Sequence, residues 1–366
     1  MYKVLIFGTG NYSIFVEGML NSKVKILAYV DNDKNKWNCK KNDKTIISPE
    51  NIEKYDFDYI VIASQFNEEI YDQLLKMNVN KKKIFQHTKF MDNYWNYYKF
   101  YVDYFISDLH EPYDLIITGI SYASSGFKVN TCIKKAFKLA FASQDLFYDY
   151  HTIKYLLENY KNKMSKVKRV IIGLSYYSFE YDMSLSAMRA KTTLYYDVIK
   201  QSHNFKDVNN VYEEFNINEN IAYKLLNKKE DNNFDFNWTT LELKELKYKE
   251  KIGRKQAEID CRKNYPKTVN ENIEIFESYL KILKDNNIQP IVVVFPTSKY
   301  YNKYFSKRIE DKFHSIINEA EEKYKFQYID YFRSERFNDD DFQDVSHLNI
   351  NGAEKFTQIL NQIIQW

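Results

Sequence analysis

The sequence has few of the features that mark metal-binding, redox or nucleic-acid-binding proteins. Its 366 residues include only three cysteines, Cys39, Cys132 and Cys261, which lie far apart and form no CxxC pair. We therefore expect buried thiols rather than a zinc site or a redox couple. No HxxxH or HExxH pattern occurs, so no metal site is expected. Lys and Arg number 53 against 50 Asp and Glu, and this balance provides no basic surface for nucleic acid or an anionic membrane.

Long apolar runs are also missing. The longest, such as residues 291–295, are far shorter than the roughly 20 residues that span a bilayer, so no membrane span is expected. The chain begins with MYKVLIFGTG, a strand-like stretch without the charged start, longer apolar segment and cleavage site of a signal peptide. We expect a cytoplasmic protein, and at roughly 150 residues per domain its length predicts about two domains.

Only eight glycines occur, and two of them follow the first apolar run in the stretch GTGNYS. This stretch is a GxGxxG pattern in which Ser13 replaces the third glycine, and Asp31 closes the second predicted strand about 20 residues later. In dinucleotide-binding folds such glycines let the backbone turn under a phosphate, while the carboxylate accepts hydrogen bonds from a ribose. Gly8, Gly10, Ser13 and Asp31 are therefore candidates for binding a nucleotide, a nucleotide-sugar or CoA.

Short apolar runs alternate with helical stretches through residue 63, which predicts parallel βαβ units. This region resembles the Rossmann-like N-terminal domains of bacterial sugar-modifying enzymes in its GTGNYS, AYVDND and Ser48-Pro49-Glu50 segments. The resemblance implies a Rossmann-like domain over residues 1–90, and both a ligand-binding and a structural or oligomerising role remain open. An NAD-dependent oxidoreductase is disfavoured because no catalytic Tyr/Lys pair follows at helical spacing. The aromatic residues 91–112 predict a connecting helix.

A second α/β series begins at residue 113, with continuous apolar runs at residues 115–118, 170–172, 291–295 and 328–331. Such runs are typical of a parallel sheet covered on both faces, so we expect a three-layer α/β/α domain, flavodoxin-like in type. The polar stretch at about 183–267 predicts a helical insertion over the mouth of the site. Its Arg189, Lys191 and Arg254 could hold an anionic sugar, although charge runs usually form a solvated face.

Two segments of this second series have the residue types of a serine hydrolase. Ser121 follows the first predicted strand, where ligands gather in open parallel sheets, and Gly119 permits a sharp turn before it. Near the C-terminus, the Asp344 carboxylate can orient the His347 imidazole while its other nitrogen faces a serine. These residues form a candidate triad of nucleophile, base and orienting acid. Ser124 and Ser125 are alternative candidates for the nucleophile. His151 is a further histidine that could approach the site.

Residues 113–366 resemble the SGNH (GDSL-type) hydrolases, a superfamily of esterases and O-acyltransferases that includes enzymes acting on acetyl groups of bacterial surface polysaccharides. The first sequence block of this superfamily, Gly-Asp-Ser, corresponds to Gly119-Ile120-Ser121, with Ile in place of Asp. Its last block, DxxH, corresponds to Asp344 and His347. The resemblance places Ser143 at the oxyanion-hole glycine and Ser175 at the oxyanion-hole asparagine of the GxND block. Gln144 and Asn349 are alternatives for the latter donor.

The sequence therefore predicts an SGNH-type serine esterase or O-acyltransferase that modifies bacterial surface-glycan precursors through an acyl-enzyme. The expected partner is a carbohydrate or nucleotide-sugar substrate, and no cofactor is required for this chemistry. The alternative is a catalytically degenerate SGNH-like binding or scaffold protein of a glycan-modifying complex. It is motivated by the loss of the GDS aspartate and the GxND asparagine. The acyl donor, the choice between hydrolysis and transfer, and a homo-oligomeric state stay open.

Overall fold

A computed structural model describes residues 1–64, 66–90, 96–109, 112–227, 242–262 and 266–366. The chain forms two compact units, one from the described residues of Met1–Asn96 and Asp207–Phe234 and one from those of Tyr97–Lys206 and Asp235–Trp366. Each unit has its own mainly parallel sheet with helices, so the predicted α/β fold class is confirmed. Within the described ranges, no helix combines the length and apolar character needed to cross a bilayer.

The sheet of the first unit has the strand order β3-β4-β2-β1-β5-β6, and every neighbouring pair is parallel except β3 with β4. Without the short β3, this is the order of the dinucleotide-binding Rossmann fold. The strands are β1 (Tyr2–Phe7), β2 (Val24–Val30), β3 (Lys40–Lys41), β4 (Lys44–Ile47), β5 (Tyr59–Ile62) and β6 (Ile84–Phe85). The helices are α1 (Asn11–Met19), α2 (Asn67–Lys76), α3 (His87–Phe90) and, from much later in the chain, α9 (Val208–Leu225).

Helix α9 packs on the first unit because one of its faces is apolar. Its Phe215 lies 5.5 Å from the Phe90 ring, and the Asn218 side chain accepts a hydrogen bond from the Gln86 backbone at 2.7 Å. Leu226, just after the helix, forms a bridge with Leu20. The region predicted as one helical insertion, about 183–267, is therefore divided between the two units, and its residues 228–241 and 263–265 lie outside the described residues.

The second unit contains a five-stranded parallel sheet with the order β11-β10-β9-β7-β8. This corresponds to the doubly wound, flavodoxin-like order, whose switch point lies between β7 and β9. The strands are β7 (Leu115–Gly119), β8 (Ala136–Ala140), β9 (Arg169–Leu174), β10 (Gln289–Val294) and β11 (Gln327–Asp330). All five residues of β7 are buried, as expected for a central strand covered on both faces.

Ten helices of the described part surround this sheet. They are α4 (Tyr97–Ser107), α5 (Ser121–Gly126), α6 (Leu146–Asn159), α7 (Lys161–Met164), α8 (Thr192–Ile199), α10 (Lys249–Cys261), α11 (Pro266–Asp285), α12 (Lys299–Asn302), α13 (Lys307–Lys323) and α14 (Ile350–Ile363). The predicted connecting helix over 91–112 corresponds to α4, which is part of the second unit; residues 91–95, 110 and 111 of that prediction lie outside the described residues.

The turn after β7 depends on glycine. Gly119 has a φ of +130°, and a Cβ built on it would lie 2.3 Å from the carbonyl oxygen of Gly173 on β9. A side chain there would therefore be strained in φ and would collide with backbone that cannot move aside. Strand β7 lies between β8 and β9 and ends at Gly119. Helix α5 therefore begins at the carboxyl edge of the sheet, directly after this turn.

We expect Gly119→Ala to lower the free energy of unfolding by about 3 kcal/mol, because it combines an unfavourable φ with overpacking. Gly18→Ala is the matched control: Gly18 lies in α1 with no atom within 4 Å of an added Cβ. The control should stabilise by about 0.5–1 kcal/mol, as alanine does for glycine in a helix. Denaturant unfolding of both variants measures the two changes. Equal stability of Gly119→Ala and the wild type would contradict the steric argument.

Candidate active site

The three residues of the predicted triad meet at the carboxyl edge of the second sheet. Ser121 is the first residue of α5, and its Oγ lies 2.8 Å from Nε2 of His347. The other ring nitrogen, Nδ1, lies 2.9 Å and 3.0 Å from the two carboxylate oxygens of Asp344. The side chains therefore form one continuous hydrogen-bonded line from carboxylate to hydroxyl, although Ser121 and His347 are 226 residues apart.

Asp344 also shapes the loop that holds the imidazole. Its Oδ1 accepts hydrogen bonds from the backbone N–H groups of Ser346 and His347, each at 2.8 Å. The loop is anchored on its other side to the start of α12, because the Ser298 hydroxyl donates to the Val345 carbonyl at 2.6 Å. The carboxylate thus fixes both the backbone of the loop and the plane of the ring.

The electrostatics of the pair favour a charged acid and a basic imidazole. Burial acts to raise the pKa of Asp344, but the attraction and hydrogen bond of His347 and two backbone N–H groups outweigh it and lower the pKa to about 2. Burial acts to lower the pKa of His347, but Asp344 and, more weakly, the charge of Asp260 raise it above its usual value. An ionised carboxylate beside a strengthened base is the arrangement that proton transfer from a serine hydroxyl needs.

Ser143 and Ser175 follow the strands on either side of β7. Ser143 lies after β8 with a φ of +69°, in the left-handed region that favours glycine. Ser175 directly follows β9 and is buried. Because parallel neighbouring strands end at one edge, both residues belong to the same rim as Ser121.

Of the three side chains considered as the second oxyanion donor, the structure leaves one uncommitted. Gln144 donates to the Leu139 carbonyl and to Asp149 and accepts from Tyr195, so its amide is fully engaged. Asn349 caps α14: its Oδ1 accepts from the Gly352 backbone, and its Nδ2 donates to the Asp340 carbonyl. The buried Ser175 Oγ has no hydrogen-bond partner within the described residues. A buried hydroxyl in this state is available to a ligand.

The remaining second-unit candidates lie away from this hydrogen-bonded line. The Ser125 hydroxyl accepts from Gln343 at 3.3 Å, and the Lys138 ammonium donates to the backbone carbonyl of Ser124. Burial, followed by the charge of Lys154, lowers the pKa of His151 to about 4, and its ring packs 4.1 Å from that of Phe147.

The basic residues expected to hold an anionic sugar are dispersed. Arg254 pairs with Glu258 at 3.0 Å on the exposed side of α10, whereas Lys191 is buried just before α8. Arg189 and Lys191 are the first and last residues of one short 3₁₀ helix. These surroundings fit the solvated-face interpretation for Arg254.

In the first unit the structure brings the nucleotide-site candidates together at the ends of β1 and β2. Gly8 has a φ of +114°, and the Ser13 hydroxyl donates to the Gly10 carbonyl at 2.7 Å. An added Cβ on Gly10 would meet no atom within 4 Å, so space is open there. Asp31, however, accepts from the Thr9 hydroxyl and pairs with Lys36 at 3.0 Å.

The pKa of Asp31 reflects these internal partners. Burial acts to raise it, but the Thr9 hydroxyl, the Asp33 backbone N–H and Lys36 together lower it. The carboxylate that the sequence predicts for binding a ribose is therefore already engaged by groups of the protein itself.

One cluster in the second unit was not predicted: Asp145, Asp182 and His203. The His203 Nδ1 lies 3.0 Å from the Asp145 carboxylate and 3.3 Å from that of Asp182, and all three side chains are buried. These are residue types that ligate Zn²⁺, and their candidate ligand atoms lie within 4.8 Å of one another. The cluster could not be predicted from metal-ligand spacing in the sequence, because its members are separated by 37 and 21 residues.

Hydrogen-bond donors already occupy the carboxylates of this cluster. The Met183 backbone donates to Asp145 at 2.8 Å, and the Ser184 backbone and Asn204 side chain donate to Asp182 at 2.8 Å each. Burial acts to lower the pKa of His203, but the attraction and hydrogen bonds of the two carboxylates raise it to about 10. We therefore interpret the cluster as a charged imidazolium that ties the loop after Ser143 to residues 182–184.

Parts of the chain are similar to a known family model and to solved structures. Residues 1–85 match the family model described as C2185-like, N-terminal. No curated protein matches. Among solved structures, UDP-D-quinovosamine 4-dehydrogenase from Vibrio fischeri is similar at 24% identity over 21% of this chain and 73% of its own, with a TM-score of 0.18. A Streptococcus pneumonia protein named after platelet activating factor is similar at 11% identity over 80% and 98% of the two chains, with a TM-score of 0.38.

A Bacteroides fragilis protein named as an acylhydrolase is also similar, at 11% identity over 73% of this chain and 95% of its own, with a TM-score of 0.34. These identities and scores are low. Any functional assignment for this chain therefore rests on the geometry of its own residues.

His203 is expected to make stability depend on pH. Because its folded pKa of about 10 lies above the ordinary value of 6.5, its contribution is complete below pH 6.5 and is lost as the pH rises toward 10. We expect His203→Gln to destabilise by about 3 kcal/mol at pH 6, since two buried carboxylates lose their cation, and by much less at pH 10. Thermal melts of the variant and the wild type across this range measure the difference.

His151→Gln is the control, because burial lowers the pKa of His151 to about 4 and its imidazole is neutral in the folded protein throughout the range from pH 6 to pH 10. A His203→Gln penalty that stays constant from pH 6 to pH 10 would contradict a charged imidazole.

Proposed function

We propose that this chain is a serine-dependent esterase or O-acyltransferase in which Ser121 is the nucleophile, His347 the general base and Asp344 the orienting acid. The observation that carries the proposal is the 2.8 Å contact between the Ser121 hydroxyl and His347 Nε2, with Asp344 on the opposite ring nitrogen. A lone serine at a helix start would usually serve as a cap. A serine at a strand end that also faces a carboxylate-oriented imidazole has the geometry of an activated nucleophile.

The first half-reaction follows from this line of groups. His347 takes the hydroxyl proton as the Ser121 oxygen bonds to the carbonyl carbon of an ester, forming a tetrahedral intermediate. The imidazolium, stabilised by Asp344, then gives that proton to the departing alcohol oxygen as its bond to carbon breaks. Ser121 is left as an acyl ester.

The second half-reaction repeats these steps with a new nucleophile. His347 deprotonates a water molecule or a sugar hydroxyl, which attacks the acyl carbon. The Ser121 oxygen leaves and recovers the proton from the imidazolium. Water gives hydrolysis and a sugar hydroxyl gives O-acyl transfer, so one constellation serves both reactions.

We assign the oxyanion donors to the ends of three neighbouring strands. The backbone N–H groups of Ser121 and Ser143 and the side-chain hydroxyl of Ser175 would donate to the negative oxygen. The left-handed backbone at Ser143 and the uncommitted Ser175 hydroxyl support this assignment.

The substrate class rests on the SGNH resemblance of residues 113–366. We propose an acyl ester of a carbohydrate or nucleotide-sugar, within surface-glycan biosynthesis. A nucleotide, nucleotide-sugar or CoA at the Gly8 to Ser13 loop is a separate proposal, supported by the open space around Gly10. The second candidate function, a degenerate binding or scaffold protein, is favoured by Ile120 and Ser175 standing where the family pattern has Asp and Asn.

Ser121→Ala is expected to lower kcat/KM for p-nitrophenyl acetate by about 10³-fold or more, because the acyl group then has no nucleophile to bond to. Ser124→Ala and Ser125→Ala, which remove neighbouring hydroxyls on the same helix, should leave turnover close to the wild-type value. A fluorophosphonate probe should label the wild type at Ser121 alone. Complete absence of labelling in the folded wild-type protein would favour the scaffold function instead.

Ser175→Ala tests the side-chain donor. We expect kcat to fall by about 10²-fold with little change in KM, since an oxyanion donor acts mainly in the transition state. Asn349→Ala should instead reduce stability by about 1 kcal/mol, because it removes the cap of α14. Steady-state kinetics and thermal melts of the two variants separate these effects. A larger loss of kcat in Asn349→Ala than in Ser175→Ala would transfer the role to Asn349.

A further inference from the structure

Two buried tyrosines connect the His347 imidazole with a carboxylate that has no role in the proposed mechanism. One tyrosine ring stacks on the imidazole, and the two hydroxyls form hydrogen bonds that end at the carboxylate. Tyr122, next to the nucleophile on α5, places its ring 4.9 Å from that of His347 at an angle of 29°. Its hydroxyl donates to the Tyr301 hydroxyl at 3.2 Å, and the Tyr301 hydroxyl donates to Asp260 Oδ2 at 2.9 Å. The side chains of Tyr122, Tyr301 and Asp260 are at most 5% exposed.

The backbone is built to bring these groups together. Asp260 lies on α10 and Tyr301 on α12, and the two helices approach closely at Gly253. A Cβ on Gly253 would lie 2.2 Å from the Tyr300 carbonyl oxygen, so only glycine permits this approach. This explains a glycine in the middle of an otherwise polar helical stretch. Gln256, one turn before Asp260, donates to the same carboxylate oxygen at 3.1 Å.

We infer that Asp260 is a positioning residue for His347 that acts through Tyr301 and Tyr122. The inference rests on the proposed function. The stacked Tyr122 ring supports one face of the imidazole, and the hydrogen bonds to Tyr301 and Asp260 hold that ring in place. The ring of His347 is thereby kept in the plane in which Nδ1 meets Asp344 and Nε2 meets Ser121.

The negative charge of Asp260 also raises the pKa of His347. Burial raises the pKa of Tyr122 and of Tyr301 far above the usual range, so both hydroxyls stay protonated and donate toward Asp260. The titratable groups that act on His347 are Asp344 in its own loop, Tyr122 stacked on its ring and, at a greater distance, the charge of Asp260 on α10; none of the three is a cation. The Asp260 charge therefore adds to that of Asp344 and favours the imidazolium.

The test is the titration of His347 by NMR in the full-length protein, with its imidazole signals assigned by their loss in His347→Gln. Asp260→Asn keeps the shape of the side chain and removes the charge, so we expect the pKa of His347 to fall by about one unit. Tyr301→Phe keeps the buried ring and breaks the connection, and should lower the pKa in the same direction by less. Tyr304→Phe and Glu250→Gln are matched controls, because they interrupt an exposed tyrosine–carboxylate contact between the same two segments.

Kinetics provide the second readout. The acid limb of the pH profile of kcat/KM for p-nitrophenyl acetate should move to lower pH in Asp260→Asn by the same amount, and the plateau should fall about threefold as the base weakens. An unchanged His347 pKa in both Asp260→Asn and Tyr301→Phe, or an equal change in the controls, would overturn the inference. A wild type without esterase or transferase activity would refute the proposed function instead, while the NMR titration would still decide the role of Asp260.

Discussion

The close approach of β7 and β9 at Gly119 is the constraint on which the second unit depends. No side chain fits between the Gly119 backbone and the Gly173 carbonyl, and the same contact sets where α5 begins. A Cβ on Gly173 would in turn lie 2.4 Å from the Ala123 side chain, so paired glycines let α5 rest directly on the sheet. Backbone packing therefore sets where Ser121 leaves the sheet, and the contact of its hydroxyl with His347 sets the direction of the side chain.

Three carboxylates surround this turn and hold different parts of the rim. Asp149 accepts a hydrogen bond from the Gly119 backbone at 2.9 Å, and burial raises its pKa to about 8. Asp145, at the start of the same helix, holds His203 and the Met183 backbone, while Asp344 holds the imidazole and its loop. Each carboxylate binds backbone N–H groups as well as a side chain. Hydrogen bonds and the attraction of His347 outweigh burial at Asp344, whose pKa falls to about 2, but at Asp149 burial dominates and the pKa stays raised. The contacts of all three residues restrict the loops at the carboxyl edge.

The sequence was sufficient to predict the two α/β sheets and the meeting of Ser121 with His347. Strand ends in parallel sheets lie at one edge, and a DxxH pair is local enough to recognise, so both predictions rest on short-range patterns. The sequence did not predict that α9 belongs to the first unit, from which more than a hundred residues of the chain separate it. Nor did it predict the pairing of His203 with Asp145 or of Asp260 with Tyr301. Those residues are unremarkable in sequence, and only the fold gives them partners.

For the proposed function, the two differences between residues 113–366 and the SGNH pattern that they resemble have one physical consequence. Ile120 is buried where the family pattern has a carboxylate, and Ser175 offers a shorter donor than an asparagine. Stabilisation of an oxyanion would then depend more on backbone N–H groups, which do not vary with side-chain identity. Their direction is set by the Gly119 turn and by the left-handed conformation that Ser143 adopts despite its Cβ.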